Sequence, residues 1–156
     1  LEFATSVLMI LMICGAFGRI LGGMLGDYIG ALPGYILMSL GQTIFVVWFP
    51  HLISPASIYV LAALFGFTYS GVMSSILVCT RIMVSAKFGA RAMSLTSLFG
   101  WIGMGLGGFL GGYFFDIYGD YSLAFAFAGI TGIVNLFILA LFFMNIRRRE
   151  NLLLSS

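Results

Sequence analysis

Charge is what this chain lacks most. Of its 156 residues only 8% are Asp, Glu, Lys or Arg, against about 25% in an ordinary soluble domain. Histidine occurs once, cysteine twice and proline three times. A single histidine, His51, leaves no Ser/Cys/His arrangement for nucleophilic catalysis and no histidine pair for a metal. Cys14 and Cys79 lie far apart, each inside an apolar run, so neither a disulfide framework nor a zinc site is read. No glycine-rich loop ends in Gly-Lys-Ser or Gly-Lys-Thr, which argues against coupling to nucleotide hydrolysis. The net charge of +2 is too small to attract nucleic acid. No enzyme activity, cofactor or metal is expected.

What is present in excess is apolar surface. Hydrophobic residues make up 62% of the chain and the mean hydropathy is +1.15. A soluble domain of this size could not hide so much of it, so the solvent is lipid. The apolar runs are continuous, which excludes the alternating pattern of a transmembrane barrel. Five runs are long enough to span a bilayer as helices: residues 4–24, 34–50, 57–80, 93–115 and 122–144. Short connections at 26–33, 51–56, 81–92 and 116–121 join them. The expectation is an all-α polytopic membrane protein with one transmembrane domain over 1–146 and a cytoplasmic C-terminal tail over 147–156, frayed at 151–156. The chain opens on Leu1 with no charged n-region or cleavage site, so no signal peptide is read, and a preceding N-terminal part is expected.

Basic residues fix an orientation. Arg19, Arg81, Lys87, Arg91, Arg147, Arg148 and Arg149 all fall toward one side if the spans alternate. The positive-inside rule makes that side cytoplasmic, with the C-terminus inside and the N-terminus of these five spans outside. The location expected is the plasma (inner) membrane. Trp48, Phe49, Tyr59, Tyr113, Tyr118 and Tyr121 flank the two opposite connections, at interfacial depth.

The 21 glycines concentrate in two runs. Gly18, Gly22 and Gly26 recur every four residues in the first, and Gly103, Gly107 and Gly111 do so in the fourth. In lipid, small residues let helix backbones approach closely, so each stripe reads as a packing face. Periodicity does not say whether the partner helices belong to this chain. The fifth run, with Asn135 as its main polar residue, reads as peripheral and lipid-facing. The third run carries Thr68, Tyr69, Ser70, Ser74, Ser75 and Thr80, and reads as facing protein or a watery cavity.

One charge lies within a span. Arg19 precedes Asp27 by about two helical turns, and an ionisable residue at such depth is a functional candidate. Its guanidinium could hold a carboxylate through two parallel hydrogen bonds, or its long side chain could extend to the interface. Asp27, near a helix end, could accept hydrogen bonds from a helix N-terminus or an arginine and so stabilise one gating conformation. Tyr69, Ser70, Ser74 and Trp101 are candidate cavity-lining residues, each also suited to packing. Arg81, Lys87 and Arg91 read as topology determinants and headgroup contacts.

The run at 18–30 reads Gly-Arg-Ile-Leu-Gly-Gly-Met-Leu-Gly-Asp-Tyr-Ile-Gly. It resembles the G-x-L-x-D-x-x-G motif of major facilitator superfamily transporters, with Gly23, Leu25, Asp27 and Gly30 at its four fixed positions. Lys-Phe-Gly-Ala-Arg at 87–91 and the glycine-rich 99–108 resemble the tenth-to-eleventh loop and eleventh span of the same superfamily, especially its monocarboxylate- and oxalate-porter-like branch. The resemblance implies a partial C-terminal six-helix half, spans eight to twelve of a twelve-helix fold, whose missing N-terminal half would be a partner. It implies that the glycine faces of the first and fourth runs pack against that other half. It also implies alternating access of a small solute. Gly15 stands where some monocarboxylate porters carry an acidic residue one turn before the arginine, a departure that weakens a proton-coupled monocarboxylate reading. Ala31 and Leu32 stand where basic residues usually follow the loop motif. Arg19 matches an arginine that contacts anionic substrates, so a mono- or dicarboxylate is the substrate expected. The alternative is a truncated or split, non-transporting membrane module that assembles with another polypeptide; a channel is disfavoured, because no ring of charge or filter-like segment is visible.

Overall fold

The computed structural model describes residues 2–154, with side chains through Arg148. Leu1, Ser155 and Ser156 lie outside the described residues, as do the side chains of Arg149 and of the remaining tail. Five helices follow one another: α1 Glu2–Ile29, α2 Ala31–Trp48, α3 Pro55–Met83, α4 Gly89–Tyr118 and α5 Ser122–Leu154. Short 3-10 turns occupy Phe49–His51 and Ala86–Phe88. All five helices contain stretches long and apolar enough to cross a membrane.

Each expected span exists, but most of the helices are longer than the apolar runs. Apolar runs mark the part that suits hydrocarbon, whereas a helix continues until its backbone is broken. Thus 26–29, expected in a connection, is still α1. The break is a single residue, Gly30, whose φ of 96° suits glycine and is costly for side-chain-bearing residues. Its carbonyl accepts the first bond of α2, from the Gly34 N–H at 3.0 Å. Pro33 sits in that first turn, where its missing N–H costs nothing. Pro55 opens α3 in the same manner. At the far end of α4, Gly119 adopts a left-handed cap with φ 74° and donates to the Phe115 carbonyl at 2.8 Å. The expected tail over 147–156 is helical as far as Leu154, since nothing in Arg147–Asn151 breaks the helix.

The helices run up and down, so two opposite ends can be named. One end carries Gly30, the α3–α4 connection and Arg147, and is the basic end. The other carries Phe49–His51 and Gly119.

The α1–α3 interface is the most extensive. Gly15, Gly18 and Gly22 of α1 are buried against Gly66, Phe67, Ser70 and Gly71 of α3. A Cβ on Gly18 would collide with the Phe67 carbonyl, and one on Gly66 with the Leu11 carbonyl. A Cβ on Gly22 would stand 2.8 Å from the Gly71 Cα. Gly26 lies against α2, where a Cβ on Gly34 would stand 3.2 Å from its Cα. The stripe Gly18, Gly22, Gly26 therefore has its partners within this chain. This corrects the expectation that it packs on another half: α3 carries glycines of its own at the matching depth, and two smooth faces meet most closely.

α2 packs on α3 and on α5. Gly132 of α5 sits against Thr43, Gly129 against Val47, and the Asn135 amide donates to the Ser39 hydroxyl at 2.8 Å. α5 is otherwise largely exposed, as a peripheral helix would be, but this stripe is a specific seam. The small apolar core gathers Leu32, Tyr35, Met38, Val72, Cys79 and Leu139.

α4 differs from the rest. None of its residues is buried. It touches α3 at the basic end, where the Thr80 and Thr96 hydroxyls are 3.4 Å apart. It touches α5 at the other end, where Phe115 stacks on Tyr121 at 4.7 Å. Between those points Gly103, Gly107 and Gly111 have no atom within 4 Å of a built Cβ. The second stripe is thus left open.

Candidate functional site

Arg19 follows the buried Gly18 and stands one turn after Gly15 and one turn before Gly22, at the rim of the α1–α3 seam. That position delivers its side chain to a cavity of about 540 Å³ between α1, α3 and α4. Ser74 of α3 and Trp101 of α4 line the same cavity, so three of the five expected solute-binding residues come together. The walls are otherwise apolar apart from Thr96 and Ser97. Arg19 is the only charged residue in the lining. Trp101 is 73% exposed and its neighbour Phe99 is 68% exposed, so ring faces are free to meet a solute or another protein segment.

The other two expected residues are elsewhere. Ser70 is turned into the α1–α3 seam, its hydroxyl 2.5 Å from where a Gly15 Cβ would stand. Ser70 shares nearly the same face of α3 as Ser74, one turn on, but it lies at the height of Gly15, where α1 closes against α3. Tyr69 stacks on Phe65 with ring centroids 5.7 Å apart and does not line the cavity, although it lies within electrostatic reach of Arg19. The residues missed by sequence reasoning are Thr96, Ser97, Phe99 and Met73. A cluster of hydroxyls at 94–97 in the first turns of the fourth helix was the available signal. Most such hydroxyls bond back to their own helix, as Ser94 and Thr96 do here.

The motif residues gather at the basic end. Gly30 supplies the positive φ between α1 and α2. Leu25 packs against the core. Gly23 faces open space. Asp27 lines a groove of about 540 Å³ with Pro33, Met83, Phe143 and Arg147. The Arg147 guanidinium lies over the Phe143 ring at 5.1 Å, and Asp27 has no hydrogen bond or ion pair with a described residue. Glycine at 30 thus has a backbone reason, while Asp27 has a potential partner that it does not touch.

A second cavity, of about 630 Å³, lies between α2, α3, α4 and α5. Met73 and Ile76 line both cavities, so two apolar side chains of α3 separate them. Among the described residues no group of three or more His, Cys, Asp or Glu could hold a metal ion.

A family model described as Major Facilitator Superfamily matches residues 2–155. The riboflavin transporter MCH5 of Saccharomyces cerevisiae is 35% identical over 91 residues, which make up 56% of this chain and 18% of that transporter. The chain therefore spans about a fifth of the length of this curated relative. No solved structure matches the chain significantly.

Proposed function

Since the chain belongs to the major facilitator superfamily, and is an integral membrane protein by its five apolar helices, we propose that it is part of a secondary transporter, not an enzyme, and moves a small solute by alternating access. In this reading the five helices are spans eight to twelve of a two-half transporter, with an N-terminal half as partner. The observation that carries the solute site is Arg19 as the sole charge in a cavity with Ser74, Thr96, Ser97 and Trp101. A guanidinium there offers two parallel donors to a carboxylate in surroundings of low polarity. A small organic anion, a mono- or dicarboxylate, is the first reading, in keeping with a monocarboxylate- or oxalate-porter-like branch.

The test is uptake of labelled mono- and dicarboxylates by the full-length transporter, with Arg19→Ala and Arg19→Lys beside it. Loss of a charge-assisted bidentate contact should lower uptake about 10- to 100-fold in Arg19→Ala. Arg19→Lys should recover only part of it, because the ammonium lacks the fork geometry. Unchanged uptake in both, with normal insertion, sinks the anion site.

A second reading is favoured by the relative's name. Riboflavin is a flat, uncharged heterocycle, and the free rings of Trp101 and Phe99 suit stacking. Riboflavin uptake that survives Arg19→Ala and falls in Trp101→Ala would replace the carboxylate reading with this one.

Two further assignments belong to the same proposal. The basic end is cytoplasmic, which places the C-terminus inside, in the plasma membrane. Single cysteines introduced near Lys87 and His51 should be labelled by an impermeant maleimide from the inner and outer sides respectively. Asp27 pairs with Arg147 in one gating conformation, since both line one groove without touching. The rival, a split module that does not transport, would show inserted, stable protein and no uptake with any co-expressed N-terminal half.

A further inference from the structure

The cavity between α2, α3, α4 and α5 carries features that the Arg19 site does not use. Its volume is about 630 Å³, within the range of small-molecule sites, which are concave, mainly apolar and supplied with a few placed polar groups. No Asp, Glu, Lys, Arg or His lines it. The polar groups sit together on one side, on α2 and α5. Most are already engaged: Asn135 donates to Ser39 at 2.8 Å, Thr43 to the Ser39 carbonyl at 2.8 Å, and Thr131 to the Phe127 carbonyl at 2.9 Å.

Gln42 is the exception. It lies well inside α2 and its amide has no hydrogen-bonding partner among the described residues. An amide at membrane depth is costly unless it is bonded, and Gln42 opens into the cavity with two donors and an acceptor free.

The other side of the cavity is open. On α4, Gly103, Gly107 and Gly111 leave open gaps between Leu106, Leu110 and Phe114, with nothing within 4 Å of where each glycine's Cβ would stand. Phe65, Phe114 and Phe127 supply ring faces. α4 and α5 meet near the Gly119 connection and are otherwise sparsely in contact. Leu106 is 55% and Phe127 49% exposed at the gap between them, so the mouth opens toward hydrocarbon.

We infer that this four-helix cavity binds an uncharged, flat polycyclic molecule of sterol type, entering from the bilayer, with its single hydroxyl or carbonyl on Gln42. Absence of any charged group in the lining selects a neutral ligand. The open glycine gaps of α4, with the Phe65 and Phe127 rings on neighbouring helices, favour a flat one. A rigid ring system also loses less freedom on binding than an acyl chain. The inference does not rest on the transport reading, because binding is read without uptake.

The experiment uses the full-length protein in phosphatidylcholine liposomes with a trace of a diazirine-bearing cholesterol analogue whose hydroxyl is free. After illumination, adducts are mapped by peptide mass spectrometry. The expected adducts fall on cavity-lining residues of α2, α4 and α5 and are displaced by excess cholesterol but not by excess oleyl alcohol. Gly107→Leu should fill the cavity without disturbing its surroundings and lower labelling about tenfold. Gly103→Leu is the second filling variant if the first inserts poorly. Gln42→Leu removes one hydrogen bond and should lower labelling about fivefold. Adducts spread over the exposed faces of α1 and α4, labelling unchanged in a well-inserted filling variant, or equal displacement by oleyl alcohol would each overturn the inference.

Discussion

α1 and α4 carry the same device and meet different fates. Each has three glycines at spacing four, Gly18, Gly22 and Gly26 in one and Gly103, Gly107 and Gly111 in the other. In α1 the stripe is buried, and at Gly18 and Gly22 two backbones come close enough that a methyl group would not fit. In α4 the stripe faces open space. The spacing is identical, so spacing is not what decides. What decides is the opposing face. α3 offers Gly66, Ser70 and Gly71 to α1, a second surface of small residues, and dispersion between two smooth faces replaces the hydrophobic effect that lipid does not supply. α3 offers α4 the larger Met73 and Ile76 instead, which hold the two helices apart and leave a cavity on either side. A small-residue stripe is a capacity for close approach, and its partner must share it.

The sharpest way to break this comparison is to fill the tight seam. Gly18→Leu puts a side chain where the Phe67 carbonyl already stands, and backbone on both sides cannot yield. Overpacking of this kind costs about 3 kcal/mol or more. The expected result is loss of monodisperse protein, or a large fall in thermal midpoint in detergent. A midpoint within about 2 °C of wild type, where roughly 1 kcal/mol already moves it by several degrees, would mean that α1 and α3 are not packed as described.

A medium effect is expected at the α2–α5 seam. Asn135→Leu keeps the branched shape and removes the bond to Ser39, at a cost of about 1 kcal/mol, in line with interhelical bonds in membrane proteins. If the fold is unchanged in stability, the bond contributes nothing and α5 is held by the Gly129 and Gly132 contacts and by Leu139 in the core.

In the open stripe the sign reverses. Gly107→Ala meets nothing within 4 Å and should stabilise α4 by up to about 1 kcal/mol through helix propensity. The same substitution with the proposed N-terminal half co-expressed sharpens the comparison. A loss of stability there would reveal that another segment docks on this face.

Much of this was legible beforehand, and the failures have a physical pattern. The five helices followed from apolar length. Arg19, Ser74 and Trp101 came together because an intramembrane charge must find polar company, which is a constraint visible in residue type. Ser70 and Tyr69 did not, because what a side chain meets depends on the rotation of α3 and on where α1 closes against it, and both are set by Gly66 and Gly71 packing on α1. No local pattern in α3 reports that. The ends of α1 and α5 were placed short for a related reason: hydropathy falls at Asp27 and Arg147, while the backbone continues until Gly30 breaks it in one case and past Arg147 in the other. The second cavity was overlooked although Ser39, Gln42 and Thr43 interrupt an otherwise apolar run. A hydroxyl can satisfy itself on its own helix, and only Gln42, whose amide cannot, carried a signal of unmet need.

The smallest effect tests what holds α4 at all. With no buried residue, α4 relies on contacts at its two ends, and at the basic end the single polar link is Thr80 with Thr96 at 3.4 Å. Both hydroxyls also bond back to their own helices, Thr80 to the Ile76 carbonyl and Thr96 to the Ala92 carbonyl. Each threonine therefore loses little when its neighbour is removed. A double-mutant cycle of Thr80→Val and Thr96→Val isolates the shared part, and a coupling of about 0.6 kcal/mol is expected, the average for such pairs in a membrane. Zero coupling would show that the two hydroxyls are merely near each other. α4 would then be positioned by the Phe115–Tyr121 stack and by lipid, and the wall of the Arg19 cavity that carries Thr96 and Trp101 would be free to move on α3. A coupling well above 1 kcal/mol would instead make this pair the fixed point about which the glycine-rich part of α4 bends.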